Sequence, residues 1–493
     1  MNRVQFGRAW TSSESGLDIQ SVEVQAMIRK GLPRFDLIGL PEHMIREGKD
    51  RIFSSLHALQ IELPPQRILV HLMPGDQPKE GSHFDLPILV ALFEAMGLLP
   101  TQEPKSYYWG ELQLDGSLRE FPQALRHLFA VNQKSAKGYT LQPPEDWDEE
   151  AEAFLDAPLL AIDHIEDLFQ TPSESSKAKP SPSEASIKAM ALKELKSKLS
   201  ANSNCLWNQL KGSPEQFLVW ALSILGREHL LLMGPAGQGK SLWSKASKIL
   251  LPPLPPQSWK ERLRFLRGSQ NGMSWRELSE TPFESPHHKA SASAVIGGGS
   301  RYIQEGAITR AHRGVLFLDE LLEFHRDVLE SLREPLEEKS LRIARSRGSW
   351  ELPADIQLIA ATNPCPCGSY RSKRQCLCTT RDFYRYQAKL SGPLTDRFHR
   401  KLWWEFQDQE RPQGFSAQEL ALKIFEARDR RLPKTENLLW PKLPNARQSR
   451  LYLEKWKTWL RWFSPSIGTE ADFRKFLSFE TQWERAWEGG KMT

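Results

Sequence analysis

The chain has 493 residues, which is more than one hydrophobic core supports, since single cores stop growing at about 250–300 residues. Hydrophobic residues make up 40% and charged residues 26%, as is usual for a globular protein. The 66 basic and 61 acidic residues leave a net charge of +5, too small to indicate nucleic-acid binding without local clusters. We therefore expect two or three domains.

Cysteine usage and apolar patterning predict the cellular location of the protein. Four of the five Cys fall within 365–378, whereas a disulfide framework is spread more widely. The N-terminus, MNRVQFGRAW, lacks the apolar segment of a signal peptide. No apolar run approaches the ~20 residues that span a bilayer. We expect a reducing, cytoplasmic location and no membrane partner.

The first block, 1–170, mixes strand and helix patterns. It contains an alternating stretch, a short apolar run and two helical patterns: 21–28, 67–72, 87–98 and 124–131. Residues 171–205 follow, and their first part, TPSESSKAKPSPSEA, has too few apolar residues for a core. We interpret 171–205 as a flexible linker after an α+β or α/β domain.

The second block, 206–402, repeats strand, loop and helix. Its apolar runs at 229–233, 315–318 and 356–361 are typical of buried strands in a parallel sheet covered on both faces. The strand patterns then stop. In 403–493, Tyr452, Trp456, Trp459, Leu460 and Phe463 share one face at helical spacing, which predicts a helical domain.

A phosphate-binding loop follows the first of these strands. The sequence GPAGQGKS matches G-x-x-x-x-G-K-S and precedes a helical pattern. Its glycines let backbone N–H groups surround a phosphate chain, and the helix N-terminus adds positive partial charge. Lys240 is predicted to reach the β- and γ-phosphates and Ser241 to bind Mg²⁺. The predicted ATP-binding residues are Gly234, Pro235, Ala236, Gly237, Gln238, Gly239, Lys240, Ser241 and Leu242.

Polar residues follow the two later strands. Asp319 and Glu320 end the strand VLFL, where the first would complete the Mg²⁺ site and the second would polarise the attacking water. Asn363 follows the third strand and is a candidate for holding that water, although a loop-capping role competes with it.

The motifs together resemble a known family. GPAGQGKS, SPHHKASASAVIGGGS (285–300), EGAITRAHRGVLFLDELLEF (305–324), the segment 340–370 and SGPLTDRF (391–398) resemble the magnesium-chelatase-like AAA+ ATPases of the ComM/YifB group. Residues 31–52 and 78–92 resemble that group's N-terminal domain, which is Lon-protease-like with a ribosomal S5 domain 2 fold. The implied fold is an α/β AAA+ core between this α+β domain and a C-terminal helical lid.

The resemblance implies further site residues. Arg397 matches the arginine that reaches a neighbouring subunit's γ-phosphate, although a surface salt bridge is the competing interpretation. Arg447 matches a second nucleotide sensor, but the helix after it, LEKWKTWLRWF, departs from the family pattern. The family also implies self-association into a ring, expected to be a homo-hexamer. The resemblance likewise favours a role of Asn363 near the γ-phosphate over loop capping.

A basic hairpin is predicted at 340–353, with its turn at 345–348. Arg342, Arg345 and Arg347 lie near the tip, either as a solvated basic turn or as contacts to a phosphate backbone. In similar AAA+ proteins this hairpin projects into the ring channel, so the resemblance favours DNA binding.

The four clustered cysteines, Cys365, Cys367, Cys376 and Cys378, form C-x-C-x₈-C-x-C. Four thiolates satisfy tetrahedral Zn²⁺, but C-x-C is not the common C-x₂-C spacing, so reduced structural thiols remain the alternative. Basic residues in the same stretch form either a second contact to DNA or a solvated face: Arg371, Lys373, Arg374, Arg381 and Arg385.

A candidate metal site and a candidate protease nucleophile are both interpreted as non-functional. His287 and His288 have no acidic or Cys partner at suitable spacing, so we assign them a loop-positioning role. Ser82 lies in the Lon-like block, but the chain lacks the Ser-Ala-Gly signature and a following Lys, so we expect no protease activity.

The predicted function is ATP hydrolysis that moves single-stranded or branched DNA through a ring. The resemblance implies helicase or branch-migration activity on recombination intermediates in natural transformation. A magnesium-chelatase-type motor shares the core, but chelatase motor subunits lack the Lon-like domain. A degenerate ATP-binding scaffold is the third hypothesis, which the intact motifs oppose.

Overall fold

The computed structural model describes residues 5–169 with gaps at 16–17, 76–78, 101–105, 122, 132–135, 137, 144–154 and 156, isolated positions between 193 and 224, and residues 226–404 with gaps at 252, 264, 267–274, 299–303, 346–347 and 373. The chain divides into two compact units, 1–187 with 255–279, and 188–254 with 280–493. The described segment 255–279 therefore belongs to the first unit, although by sequence it lies inside the range expected for the ATPase core.

The strands of the described chain are β1 (Gln5–Ser15), β2 (Asp18–Arg29), β3 (Arg34–Ile38), β4 (Arg67–Met73), β5 (Ser106–Tyr108), β6 (Glu111–Leu112), β7 (Leu118–Arg119), β8 (Gly138–Leu141), β9 (Leu159–Ala161), β10 (Leu230–Met233), β11 (Phe283–Glu284), β12 (Gly297–Gly298), β13 (Gln304–Glu305), β14 (Val315–Leu318), β15 (Ser340–Arg345), β16 (Gly348–Pro353), β17 (Gln357–Thr362) and β18 (Arg400–Trp403).

The α-helices of the described chain are α1 (Glu42–Ala58), α2 (Asp85–Met96), α3 (Ala124–Val131), α4 (Lys240–Leu250), α5 (Pro256–Leu263), α6 (Trp275–Ser279), α7 (Ala292–Ile296), α8 (Ala307–Arg310), α9 (Arg326–Ser331), α10 (Arg333–Glu338), α11 (Thr380–Gln387) and α12 (Gly392–Asp396). Short 3₁₀ turns occupy Ser82–Phe84, Ile165–Phe169 and Leu321–Glu323. None of the described helices is both long enough and apolar enough to cross a membrane.

The first unit is built on a seven-stranded mixed sheet in the order β3-β4-β2-β1-β5-β8-β9. Helix α2 is buried almost all round, which explains its continuous apolar sequence, and it ends at Gly97 in the left-handed conformation (φ 76°). The helix lies so close to β1 that a Cβ at Gly7 would come within 2.1 Å of the Ala91 carbonyl oxygen. Glycine at this position therefore permits the sheet and the helix to pack.

Ser82, the residue considered above as a protease nucleophile, lies in the described part of the first unit. The Ser82 hydroxyl donates to a carboxylate oxygen of Glu111 at 2.5 Å, and the Lys79 ammonium donates to the Pro74 carbonyl.

The second unit contains a five-stranded, all-parallel sheet in the order β11-β14-β17-β10-β18. Every residue of β10, β14 and β17 is buried, as the continuous apolar runs predict for central strands of a covered sheet. This confirms the predicted α/β core with a parallel sheet. Because β17 lies between β10 and β14, the loops that follow these three strands meet at one edge of the sheet.

Three tryptophans pack together in the core of the second unit. The Trp243 ring, on α4, makes edge-on contacts with Trp220 and Trp404, with ring centroids 5.1 and 4.9 Å apart. Large aromatic contacts of this kind bury much apolar area and hold helix α4 against the sheet. The expected linker 171–205 has almost no described residues, and the expected helical lid 403–493 lies outside the described residues after Trp404.

Candidate nucleotide site

The phosphate-binding loop joins β10 to α4. Gly237 and Gly239 both have φ of 78°, a left-handed conformation that glycine adopts without strain. Gly239 is the N-cap of α4, so the loop runs directly into a helix N-terminus. A Cβ at Gly234 would lie 1.9 Å from the Trp404 carbonyl oxygen, which makes glycine necessary there too. The backbone therefore has the curvature and the helix end that bind a phosphate chain.

The remaining loop residues surround this turn. Pro235 is buried and Ala236 is exposed, while Gln238, Ser241 and Leu242 are half-buried. Ser241 lies in the first turn of α4, beside Lys240. These positions fit a triphosphate, because the exposed loop backbone and a hydroxyl at the helix start are available to phosphate oxygens and Mg²⁺.

Lys240 links the loop to the neighbouring strand. Its ammonium donates to the carbonyl oxygens of Gly234 and Pro235, both at 2.7 Å, and to Asn363 Oδ1 at 3.1 Å. Burial lowers the pKa of Lys240 to about 8, and the negative charge of Asp319 opposes that shift. Asn363 and Asp319, which come from two separate sequence motifs, therefore both interact with Lys240.

Asp319 and Glu320 follow β14. The backbone N–H of Glu320 donates to Asp319 Oδ1 at 3.0 Å, and Glu320 itself has φ of 53°. A left-handed backbone is unusual for a residue with a Cβ and is found disproportionately at functional sites. The turn presents the Glu320 side chain to solvent with about half of its surface exposed (51%).

Sequence reasoning missed the partner of Glu320. His288 Nδ1 lies 3.0 Å from Glu320 Oε2, and the His287 and His288 rings lie 4.2 Å apart. Glu320 is 32 residues after His288, so local spacing in the sequence does not reveal the contact. The loop after β11 carries His288 to the tip of β14, because β11 and β14 are neighbours in the sheet.

The four cysteines converge on one point beside the phosphate-binding loop. Their Sγ atoms all lie within 4.8 Å of one another, and all four are free thiols. Cys365 is fully buried, and burial raises the pKa of its thiol to about 12. This arrangement offers four soft ligands to a metal, which is the donor set that Zn²⁺ prefers.

Arg397 ends α12 and forms an ion pair with Glu337 of α10. The Arg397 side chain is about one-third exposed (32%). This partly exposed position fits both the salt-bridge interpretation and a contact with a second molecule.

The basic hairpin is present. Strands β15 and β16 pair from Ser340↔Pro353 to Arg345↔Gly348, so the turn falls where the sequence predicts it. Leu341 and Ile343 are buried and Arg342 is exposed, which gives the hairpin one packed and one solvent-facing side. The Arg345 side chain and Arg347 lie outside the described residues, as does Arg447.

The arginines in and after the cysteine stretch are exposed: Arg371, Arg374, Arg381 and Arg385. Arg371 lies 5.7 Å from the ring centroids of both Tyr370 and Trp403. Lys373 lies outside the described residues.

Comparison with known proteins matches this architecture. The family described as "Magnesium chelatase, subunit ChlI" matches residues 207–411, and the family described as "Subunit ChlI of Mg-chelatase" matches residues 22–145. The chain is 33% identical over 390 residues to the uncharacterised protein YifB of Escherichia coli, covering 79% of this chain and 74% of that protein. It is 32% identical over 390 residues to competence protein ComM of Haemophilus influenzae, with the same coverage.

A more distant similarity reaches a chelatase subunit itself. The chain is 26% identical over 165 residues to the magnesium-chelatase 67 kDa subunit of Heliobacterium mobile, covering 28% of this chain and 25% of that protein. Extended identity to YifB and ComM, and the phosphate-binding loop on a parallel sheet, lead to one assignment. The chain belongs to the ComM/YifB family of magnesium-chelatase-related AAA+ ATPases.

Proposed function

We propose that the chain hydrolyses ATP at this site and uses the energy to move DNA through a ring of identical subunits. The observation that carries the proposal is the contact of Lys240 with both the phosphate-binding loop and Asn363. It supports a site in which the loop, the acidic strand end and the polar strand end act on one phosphate chain.

The nucleotide would bind with its phosphates on the loop backbone. Lys240 would exchange its bonds to the loop carbonyls for phosphate oxygens and so carry its charge to the β- and γ-phosphates. Ser241 and Asp319 supply oxygen ligands of the kind that Mg²⁺ requires. Mg²⁺ neutralises charge that develops on the phosphates during transfer.

Hydrolysis is the in-line attack of water on the γ-phosphate, which yields ADP and phosphate. Glu320 orients and polarises the water, and Asn363 helps to hold it. The contact with His288 supports this role of Glu320, because it gives the exposed carboxylate a defined direction.

Arg397 is proposed to act in trans. An arginine of one subunit, placed near the γ-phosphate of the next, stabilises transition-state charge and makes hydrolysis depend on assembly. Its partial exposure beside Glu337 supports access by a neighbour. We take a homo-hexamer as the assembly, with Arg447 as a second sensor of nucleotide.

DNA is proposed to contact the hairpin of β15 and β16. Arg342 is exposed there, and guanidinium groups bind phosphate backbones without reading base sequence. Single-stranded or branched DNA is the proposed substrate, as arises in recombination during natural transformation in the cytoplasm. The first unit serves as a Lon-like, S5 domain 2-like accessory domain without protease activity.

The decisive experiment measures ATPase rates of full-length protein with and without single-stranded and branched DNA. Lys240→Ala should abolish nucleotide binding. Glu320→Gln should retain ATP binding and lower the hydrolysis rate by about a hundredfold or more, since a general base contributes about 10²–10⁴-fold. Its matched control is Glu323→Gln, whose carboxylate lies 3.9 Å from the Lys389 ammonium and should leave the rate nearly unchanged.

Three outcomes would each reject part of the proposal. Normal hydrolysis by Glu320→Gln would remove Glu320 from its role. ATP hydrolysis with neither DNA binding nor DNA stimulation at low salt would favour a magnesium-chelatase-type motor, and ATP binding without any hydrolysis would favour a scaffold.

A further inference from the structure

The four thiols beside the phosphate-binding loop have the spacing of a metal site. The Cys365–Cys367, Cys367–Cys376 and Cys365–Cys376 Sγ distances are 3.5, 3.6 and 3.8 Å. A Zn–S bond of about 2.3 Å in a regular tetrahedron gives S–S edges of about 3.8 Å. A disulfide would need a separation of about 2.05 Å. The unusual C-x-C spacing therefore does not prevent tetrahedral ligation in this loop.

The part of the loop that carries Cys376 and Cys378 buries little side-chain surface. Leu377, between Cys376 and Cys378, is 83% exposed, and the neighbouring Arg374 and Gln375 are exposed as well. A segment that buries so little apolar surface recovers little of the free energy lost in ordering its backbone. A metal that cross-links two ends of the segment supplies that stabilisation directly.

The same loop contacts the phosphate-binding loop. The backbone N–H of Ala236 donates to the Gly368 carbonyl at 2.9 Å. Gly368 adopts φ of 69°, and a Cβ at this position would lie 2.9 Å from Ala236 Cβ. Gly368 directly follows Cys367, so a bond from the metal to that thiolate would restrain the carbonyl that holds Ala236.

A second connection runs through Asn363. This residue lies two positions before Cys365 and accepts a hydrogen bond from Lys240 at 3.1 Å. The fully buried Cys365 and the acceptor of Lys240 thus belong to one short turn that leaves β17. Restraint at the cysteines reaches the nucleotide site by two separate contacts.

We propose that the four cysteines bind one Zn²⁺ and that this ion positions the phosphate-binding loop, so that nucleotide affinity depends on zinc occupancy. Binding converts the four thiols to thiolates and releases their protons to solvent, with no change in oxidation state. The dependence of nucleotide binding on zinc rests on the proposed function, whereas the zinc site itself does not.

The first test is metal analysis of full-length protein purified without chelator, where we expect about one Zn per chain. Cys376→Ser should lose that zinc, and Cys205→Ser, which changes the cysteine outside the cluster, should retain it. Wild-type protein that holds no zinc, and takes up none from added Zn²⁺ under reducing conditions, would overturn the site.

The second test measures the affinity for a fluorescent ATP analogue. Stripping zinc from wild-type protein with a chelator should weaken affinity by about tenfold or more, and added Zn²⁺ should restore it. This reversible comparison does not depend on whether Cys376→Ser folds. Equal affinity with and without zinc would overturn the coupling while the site itself stands.

Gly368→Ala separates the two parts of the proposal, because it leaves all four thiols in place. It should keep about one Zn per chain and still bind nucleotide about tenfold more weakly than wild type. Lys240→Ala should keep zinc and lose nucleotide. Zinc-loaded wild-type protein that binds no ATP would contradict the proposed function and not the metal site. Unchanged nucleotide affinity in Gly368→Ala would show that the contact with Ala236 does not transmit the effect.

Discussion

The Nδ1 atom of His288 lies 3.0 Å from a carboxylate oxygen of Glu320. Glu320 is about half exposed, so little packing restricts the direction of its side chain. An imidazole N–H at this position would donate to that oxygen and hold the carboxylate in one direction. We infer that His288 positions the residue proposed to activate water.

His288→Ala should therefore lower kcat for ATP hydrolysis by about tenfold to a hundredfold and change KM little, because a misplaced catalytic group costs rate without affecting phosphate binding. His288→Asn, which retains a donor, should recover part of the rate. His325→Ala, at an exposed histidine at the start of α9, is the control. A His288→Ala enzyme with wild-type kcat would show that the contact with Glu320 has no catalytic role.

Gly234→Ala should destabilise the second unit and abolish nucleotide binding. The added Cβ would meet the Trp404 carbonyl oxygen at 1.9 Å, so the phosphate-binding loop and the residue after β18 must separate. Overpacking of this kind costs about 1–3 kcal/mol. Gly392→Ala is the matched control, since nothing lies within 4 Å of its Cβ position. Thermal unfolding of the two variants should differ, and equal melting temperatures would contradict the close approach.

Acid should destabilise the second unit through two buried histidines. The backbone N–H of Leu358 donates to His229 Nδ1 at 3.0 Å, and the backbone N–H of His229 donates to His399 Nδ1 at 2.9 Å. Burial lowers the pKa of both imidazoles, so the unfolded chain binds more protons in acid. Stability should be level above the unfolded pKa of about 6.5 and fall as pH drops below it.

The measurement is thermal unfolding between pH 7.5 and 5.5. His229→Asn should flatten the dependence below about pH 6.5 by up to about 1.4 kcal/mol per pH unit, because the amide accepts a hydrogen bond without titrating. His325→Asn, at the exposed histidine, should leave the dependence unchanged. Parallel pH profiles for wild type and His229→Asn would refute the assignment.

Removing Arg342 should weaken DNA binding in a salt-dependent way. If this exposed guanidinium neutralises one backbone phosphate, Arg342→Ala lowers the slope of log K against log salt by about 1. Arg326→Ala removes an exposed arginine outside the hairpin and should keep the wild-type slope. Titrations of single-stranded DNA at several salt concentrations measure both. An unchanged slope in Arg342→Ala would argue that the hairpin is only a solvated basic turn.

Much of the second unit could be predicted from local patterns. The run VLFL coincides with β14, the strand LLLM precedes the glycine loop, and the hairpin turn falls at its predicted position. These succeed because strand burial, glycine conformation and turn residues depend on near neighbours in sequence. In the first unit, the polar strand β1 went unrecognised, because its pairing with β2 rather than its own apolar content holds it in the sheet.

The length by itself predicted two or three domains, and the motifs by themselves identified a phosphate-binding loop, an acidic strand end and four clustered cysteines. Tertiary structure decided which of these act together. It placed β17 between β10 and β14, which brought Asn363 to Lys240 and the Gly368 carbonyl to Ala236. It also placed β11 beside β14, which brought His288 to Glu320. The physical reason is that strand order in a parallel sheet arises from long-range packing, and no local pattern of residues specifies it.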